Sequence, residues 1–229
     1  MGLRVPNGEL RVVDSVPEAF ARLITQELLT MLASDKERPM SFFLSGGPTA
    51  RACYEMLAAS SAKKIEWDRV DIYWGDERCV PAEDPDSNAL MARHALLERI
   101  GPVAGVHPMS CEKGPGPYQA LIEALPGIDL VHLGMGPDGH TASLFSGVDA
   151  LQASARELVA ITEDPAARNP HKRITLTLPA IARARLVVFT ISGKEKREAF
   201  TALCSGADLP ASKVRAARVI WIADRAATG

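Results

Sequence analysis

The sequence predicts an α/β fold in which a mostly parallel sheet is flanked by helices on both faces. Two observations favour it: short, almost wholly apolar runs recur along the chain, and segments with helical periodicity separate them. Strands apolar on both sides are typical of a parallel sheet covered by helices, whereas a half-solvated antiparallel sheet alternates polar and apolar residues. We therefore expect a Rossmann-like arrangement, formed as one domain over residues 1–229.

The helices are predicted from apolar spacing and from their first residues. Residues 16–32 place their apolar side chains on one helical face. Pro48 suits the first turn of a helix, where a missing N–H costs nothing, and Ser87 can cap a helix over 88–100. A further helix is expected over 194–203, and the Pro/Gly-rich segment 112–119 is predicted to be a loop.

The strands with the clearest pattern are MSFFL, VDIYW, IDLVHL and LVVFTI. Each is followed by a polar turn that carries glycine, in order SGG, GDER, GMGPDGH and SGKEK. RITLTL and RVIWIA are further expected strands, and ELVAIT is a weaker one. Because ligands of open parallel sheets bind beyond the carboxyl ends of the strands, we expect the four turns to face one site.

Composition argues against several classes of partner. The chain has 26 Lys and Arg residues against 28 Asp and Glu, a net charge of −2, so no general basic field attracts nucleic acid or anionic membranes. An anionic ligand must then be held by a local cluster of cations or amides. A small molecule is the expected partner, and the protein is expected to be a monomer or a small homo-oligomer.

The cysteines and the N-terminus suggest a compartment. Cys53, Cys79, Cys111 and Cys204 are widely spaced and show no zinc-ligand pattern, so we expect free thiols in a reducing environment and no metal. The first residues lack a signal-peptide core, and no apolar run approaches the roughly 20 residues that span a bilayer. A cytoplasmic location is therefore expected.

The turn GPDGH carries the strongest chemical signal. Histidine is the side chain that ordinarily serves as acid or base near neutral pH, and a turn at the end of a strand exposes His140 to the crevice. Asp138, two residues earlier, either orients the imidazole or caps the turn. The other histidines, His94, His107, His132 and His171, are expected to be structural.

The turn GDER offers a second group. Arg78 could neutralise an oxyanion or bind phosphate, and Asp76 is an alternative partner for the imidazole. The plainer interpretation is a solvated salt-bridge loop.

The remaining turns suggest an anion site. SGGPT, which contains Ser45, Gly46, Gly47 and Thr49, is either an ordinary strand-to-helix turn or a phosphate cradle built from amides at a helix start. It matches neither dinucleotide nor P-loop fingerprints, so no nucleotide is implied. Arg173 begins the expected strand RITLTL, and Lys196 lies in the turn after LVVFTI. These two cations would complete a site for a phosphomonoester.

Together and in this order, SGGPT, GDER, PDSN, GPDGHTASLF, RITLTL and SGKEK resemble the 6-phosphogluconolactonase family, over about residues 41–200. The wider superfamily is similar to glucosamine-6-phosphate deaminase and shares the SGG and DGH turns on a similar α/β sheet. Deaminases carry a tyrosine after the Asp-Glu pair and a carboxylate five residues after the histidine, where this chain has Arg78 and Phe145. Family members usually have serine where this chain has Pro48, which removes a hydroxyl and one amide donor.

The resemblance implies hydrolysis of 6-phospho-D-glucono-1,5-lactone to 6-phosphogluconate, with His140 as general base and no metal, cofactor or covalent nucleophile. It also implies that Arg78 stabilises the oxyanion, and that Asp138 or Asp76 holds the imidazole. The phosphate is implied to lie on the residues Ser45, Gly46, Gly47, Thr49, Arg173 and Lys196. Two alternatives are a sugar-phosphate isomerase or deaminase, which Phe145 and Arg78 disfavour, and a non-catalytic sugar-phosphate sensor, which His140 disfavours.

Overall fold

The main sheet confirms the predicted α/β class. The computed structural model describes residues 3–167 and 170–229. In that part of the chain seven parallel strands form one sheet in the order β1-β10-β9-β6-β2-β3-β5. They are β1 (Glu9–Val13), β2 (Met40–Leu44), β3 (Val70–Trp74), β5 (Gly105–His107), β6 (Ile128–Gly134), β9 (Ala184–Ile191) and β10 (Arg218–Asp224).

Helices flank this sheet and cover its apolar strands. They are α1 (Val16–Ser34), α2 (Pro48–Ser61), α3 (Asn88–Ala95), α4 (Pro115–Ala124), α5 (Leu178–Ile181), α6 (Arg197–Cys204) and α7 (Arg225–Thr228). Every residue of β2 is buried, and the side chains of Phe189 and Trp221 stack with ring centroids 3.8 Å apart. Burial of such strands on both faces is what the apolar runs predicted.

A second, antiparallel sheet lies beside the first and was not expected. Its order is β4 (Asp76–Arg78), β8 (Arg173–Leu176) and β7 (Val159–Thr162). The chain leaves the main sheet at Gly75, whose N–H donates to Leu44 O and whose carbonyl accepts from Leu176 N. The GDER turn is thus largely a strand, and its carboxylates and guanidinium are held by a ladder at the end of β3.

The helix starts follow the predicted chemistry. Pro48 occupies the first turn of α2, and Ser87 caps α3 by accepting a hydrogen bond from Leu90 N. The helix predicted over 194–203 begins with a 3₁₀ turn over Lys194–Lys196 before α6.

Two predictions are wrong. Most of the predicted loop at 112–119 belongs to α4, because Gly114 takes a positive φ of 69° at the N-cap and Pro115 fits the first helical turn. Cys79 and Cys111 are joined by a disulfide, with Cα atoms 5.3 Å apart, whereas Cys53 and Cys204 are free. Sequence spacing hides this pair because the fold brings the end of β4 to the loop after β5.

The disulfide removes one of the observations behind the cytoplasmic expectation, which stays a prediction. In the described part of the chain, no helix is both long and apolar enough to span a membrane.

Candidate active site

A cavity of about 250 Å³ lies beyond the carboxyl ends of the central strands. All four predicted turns reach it. Its lining includes the predicted residues Ser45, Gly46, Gly47, Thr49, Asp76, Arg78, His140, Arg173 and Lys196. The tenth predicted residue, Asp138, lies behind the imidazole of His140 instead of on the wall.

His140 is fixed by the carboxylate two residues before it. Asp138 Oδ1 lies 2.5 Å from His140 Nδ1 and also accepts from the His140 backbone N–H at 3.3 Å. Burial opposes ionisation of Asp138, but the hydrogen bonds and positive charge of His140 outweigh it and hold the pKa of Asp138 well below its usual range. A carboxylate on Nδ1 makes that nitrogen the donor, so Nε2 is the atom left to accept a proton.

Gly136 makes room for this pair. A Cβ at this position would lie 2.2 Å from both Cε1 and Nδ1 of His140 and 2.6 Å from Asp138 Oδ1. The turn is closed by hydrogen bonds from Gly136 N to His140 O and from Gly139 N to Gly136 O. The glycine is therefore required because the imidazole packs directly on the backbone.

Asp76 has other partners than His140. Its Oδ2 accepts a 2.6 Å hydrogen bond from Ser143 Oγ and lies 3.7 Å from the Arg173 guanidinium. The Asp76 and Arg173 side chains are each only 7% exposed, so this ion pair is little screened by water. The sequence does not decide whether Asp138 or Asp76 orients the imidazole. In the structure Asp138 contacts the imidazole, whereas Asp76 contacts Ser143 and Arg173.

Arg78 joins the cavity to the loop after β4. Its Nη1 donates to Asp86 O at 2.6 Å, and its Nε is buried without a hydrogen-bond partner among the described residues. The backbone of Arg78 pairs with that of Arg173 across the antiparallel ladder. Two guanidinium groups are thus mounted side by side on rigid strands at one wall.

Free backbone amides also line the cavity, at the start of α2. In residues 3–167 and 170–229, no backbone carbonyl accepts from the amides of Gly46, Gly47, Thr49 and Ala50. The amide of Ser45 differs because it donates to the Tyr54 hydroxyl at 2.6 Å. Ser45 therefore has only its side chain to offer a ligand, and the helix N-terminus supplies the remaining donors.

Lys196 adds a cation from the turn after β9. Burial lowers the pKa of its ammonium, while the negative charges of Glu195 and Asp138 act in the opposite direction. Lys196 is thus partly removed from water at the cavity lining. An anion bound beside Lys196 would stabilise the charged ammonium, which burial destabilises.

Asn88 is a cavity residue to which the sequence analysis gave no role. Its Nδ2 donates to Asp76 O at 2.9 Å, and its buried Oδ1 has no hydrogen-bond partner among the described residues. A Cβ on Gly46 would lie only 1.9 Å from that oxygen. The quoted PDSN motif contained this residue, but nothing in its spacing shows that the amide packs on the SGG turn.

Glu77 is structural. Its carboxylate accepts from the backbone N–H groups of Asn88 and Ala89 at 2.7 Å and from Ser87 Oγ at 3.2 Å. Burial raises the pKa of Glu77 against the opposing effect of these hydrogen bonds. The residue ties β4 to the start of α3 and so fixes the position of Asn88.

The other histidines have structural partners, as expected. His94 pairs with Glu98, His107 with Asp71 and His171 with Asp86. His132 is fully buried in β6. In the part of the chain that the structure describes, no group of three or more His, Cys, Asp or Glu side chains could hold a metal ion.

Comparison with known proteins agrees with the fold and the motifs. A family model described as glucosamine-6-phosphate isomerases/6-phosphogluconolactonase matches residues 13–221. A 6-phosphogluconolactonase of Mycobacterium tuberculosis is 38% identical over 203 residues, 80% of this chain and 81% of that protein. One from a Nostoc species is 38% identical over 208 residues, 82% of this chain and 83% of that protein.

Solved structures give the same relationship. The 6-phosphogluconolactonase of Thermotoga maritima has a TM-score of 0.84 and 29% identity, covering 96% of this chain and 100% of that one. A monomeric glucosamine-6-phosphate deaminase has a TM-score of 0.78 at 18% identity, covering 96% and 98%, so the fold extends to that enzyme as well.

Proposed function

Because this chain belongs to the glucosamine-6-phosphate isomerase/6-phosphogluconolactonase family, we propose that it hydrolyses 6-phospho-D-glucono-1,5-lactone to 6-phospho-D-gluconate. One observation carries the choice of reaction: a carboxylate-oriented imidazole lies in a cavity whose other walls are cationic or rich in amides. An ester-like carbonyl needs a base for water, and a phosphate needs the cations and amides.

His140 acts as the general base in this proposal. Its Nε2 takes a proton from a water molecule while the water oxygen bonds to C1 of the lactone, giving a tetrahedral intermediate. When the bond between C1 and the ring oxygen breaks, the same imidazolium returns the proton to that oxygen. Asp138 keeps Nδ1 protonated and stabilises the transient positive charge on the ring.

Arg78 stabilises the negative oxygen of the intermediate. Its side chain lines the cavity, so its guanidinium can donate to an oxyanion bound there. The carbonyl oxygen of Asp86 accepts a hydrogen bond from Arg78 Nη1 and so holds the guanidinium in place. Asp76 serves as a positioning residue, because it fixes Arg173 and Ser143 instead of the imidazole.

The phosphate is held by donors from three parts of the cavity lining. The donors are the free amides of the SGG turn, the Ser45 hydroxyl, Arg173 and Lys196. Anchoring a dianion remote from C1 fixes the lactone against His140, so that binding energy lowers the chemical barrier. Pro48 has no backbone N–H to donate to the phosphate, but the other donors remain.

Isomerisation or deamination of an amino sugar is disfavoured by Phe145. This buried ring, whose centroid is 4.8 Å from that of His140, stands where the resemblance places a carboxylate in deaminases. An apolar ring in contact with the imidazole offers no second acid or base for proton transfer along a sugar chain.

Acid release from freshly prepared lactone tests the proposal, with spontaneous hydrolysis subtracted. We expect enzyme-dependent hydrolysis of the phosphorylated lactone and no ammonia release from glucosamine 6-phosphate. Ammonia release would favour the deaminase. Tight binding of 6-phosphogluconate without any catalysed hydrolysis would favour the sugar-phosphate sensor.

A further inference from the structure

A buried chain of hydrogen bonds runs behind the SGG turn and returns to the cavity. Ser45 N donates to the Tyr54 hydroxyl at 2.6 Å, and that hydroxyl lies 2.8 Å from His132 Nδ1. His132 Nε2 lies 2.8 Å from Thr190 Oγ1, and Thr190 lines the cavity. Ser45 and Thr190, the two ends of this chain of hydrogen bonds, therefore both line the cavity, whereas Tyr54 and His132 lie in the core.

The imidazole of His132 in this chain is neutral. Phe20 packs on it with ring centroids 4.3 Å apart, Tyr54 packs edge-on, and the ring is completely excluded from solvent. Burial lowers the pKa of His132 to about 3. A neutral imidazole has one donor nitrogen and one acceptor nitrogen, so the hydrogen bonds on its two sides must run in the same direction.

The two possible directions differ in what Thr190 presents to the cavity. In the first, the Tyr54 hydroxyl donates to Nδ1 and Nε2–H donates to Thr190, which leaves the Thr190 hydrogen available. In the second, Thr190 donates to Nε2, Nδ1–H donates to Tyr54, and Tyr54 donates to Ser45 O at 3.3 Å. Only the first gives an anion a donor from Thr190.

The distances around Tyr54 favour the first direction. The second direction requires the Tyr54 hydroxyl to donate to Ser45 O at 3.3 Å, which is long for an O–H donor, whereas the first uses the 2.8 Å contact with His132 Nδ1. In the first direction Thr190 Oγ1 accepts from His132 Nε2–H, so the hydroxyl hydrogen of Thr190 is not used by His132.

We propose that His132 is a positioning residue which orients the Thr190 hydroxyl as a donor to the substrate phosphate and, through Tyr54, holds the Ser45 turn. The proposal deepens the proposed function and rests on it for the identity of the phosphate ester. A connected polar chain in an apolar core is costly unless every member is satisfied. Here both ends of the satisfied chain reach groups of one binding wall.

Binding measurements separate this role from a merely structural one. Inorganic phosphate, 6-phosphogluconate and unphosphorylated gluconate are titrated calorimetrically into the wild type and into Thr190→Val, Thr190→Ser and His132→Leu. Thr177→Val is the matched control, because Thr177 is also a buried threonine but hydrogen-bonds Glu157 O away from the cavity. Thermal unfolding establishes that each variant is folded.

We expect Thr190→Val to weaken 6-phosphogluconate binding about tenfold, the loss of one hydrogen bond to a charged group. Thr190→Ser retains affinity, and Thr177→Val leaves it unchanged. His132→Leu reproduces the Thr190→Val loss, and the double variant is no weaker than either single one, since His132 acts through Thr190. KM for the phosphorylated lactone rises with these losses.

Undiminished phosphate affinity in folded Thr190→Val would overturn the proposal, as would equal losses on phosphorylated and unphosphorylated ligands. If His132→Leu does not fold, Tyr54→Phe keeps the test intact, since it removes only the hydroxyl that joins Ser45 to His132. Should the wild type bind phosphate without hydrolysing the lactone, the proposed function fails while the effect of Thr190 on phosphate binding is still measured.

Discussion

Asp138 Oδ1 lies 2.5 Å from His140 Nδ1, on the side of the imidazole away from the cavity lining. The same carboxylate accepts from the His140 backbone N–H, so ring and backbone are held by one group. Because the pKa of Asp138 is held below its usual range, the carboxylate stays ionised wherever an ordinary histidine titrates. The ionised carboxylate therefore holds the imidazole in one orientation throughout the neutral range.

Gly136→Ala tests whether that orientation matters. The new methyl would lie 2.2 Å from the imidazole, so the ring must leave its place or the turn must shift. We expect kcat to fall at least about tenfold, since a misplaced base loses much of its roughly 10²- to 10⁴-fold contribution. Gly127→Ala is the control, because a Cβ there meets nothing within 4 Å. Equal kcat for the two variants would show that the imidazole tolerates displacement.

Lys196→Ala tests the phosphate anchor. Loss of a charge-assisted contact of about 1.5–3 kcal/mol should chiefly raise KM for the phosphorylated lactone and weaken 6-phosphogluconate binding. Lys194→Ala is the control, since Lys194 is exposed and lies in the same 3₁₀ turn. Steady-state kinetics and calorimetry give both quantities. An unchanged KM would place the phosphate elsewhere.

His132 predicts an acid-sensitive stability. Its folded pKa of about 3 lies below the ordinary value near 6.5, so the unfolded chain binds more protons between those values. The contribution of the neutral imidazole to the free energy of unfolding is fully present above about pH 6.5. It is lost as the pH falls towards 3, by up to about 1.4 kcal/mol per pH unit.

Urea unfolding at a series of pH values from 7.5 down measures this slope. We expect the free energy of unfolding of wild type to fall more steeply with acid than that of His132→Gln, which cannot titrate. Thr177→Val, which removes a buried hydroxyl but no titratable group, should keep the wild-type slope. Parallel slopes for wild type and His132→Gln would mean that His132 is protonated in the folded state.

The disulfide predicts a redox-dependent stability. Cys79–Cys111 closes a segment across 32 residues of sequence and ties the end of β4 to the loop after β5. A dithiol reductant should lower the free energy of unfolding by about 2–4 kcal/mol. The double variant Cys79→Ser/Cys111→Ser should be insensitive to the reductant. If non-reducing peptide mapping finds both thiols free in purified protein, the pairing is wrong.

Much of this fold was predictable because its strands are buried on both faces. MSFFL, VDIYW and IDLVHL need no knowledge of partners to be recognised, and a parallel sheet then brings their following turns together. The amphipathic α1 was equally clear from spacing alone.

The rest depended on contacts between distant parts of the chain. A three-residue strand such as β4 has too little sequence pattern to be distinguished from a loop, and it forms because β8 offers a ladder. Gly114 and Pro115 resemble loop residues until the helix they start is known. Likewise, the Cys79–Cys111 pair, the Asn88 amide beside Gly46 and the choice between two carboxylates for His140 are set by tertiary distance.

His140→Ala provides the most direct test of the account, whose central claim is that this imidazole activates water on a phosphorylated lactone. Background-corrected hydrolysis of 6-phosphogluconolactone is measured for wild type and variant, with calorimetric titration of 6-phosphogluconate into both. The account predicts a fall in kcat by roughly 10² to 10⁴ with little change in product affinity. Near-normal kcat in a folded His140→Ala protein would contradict it and remove the imidazole from the chemistry.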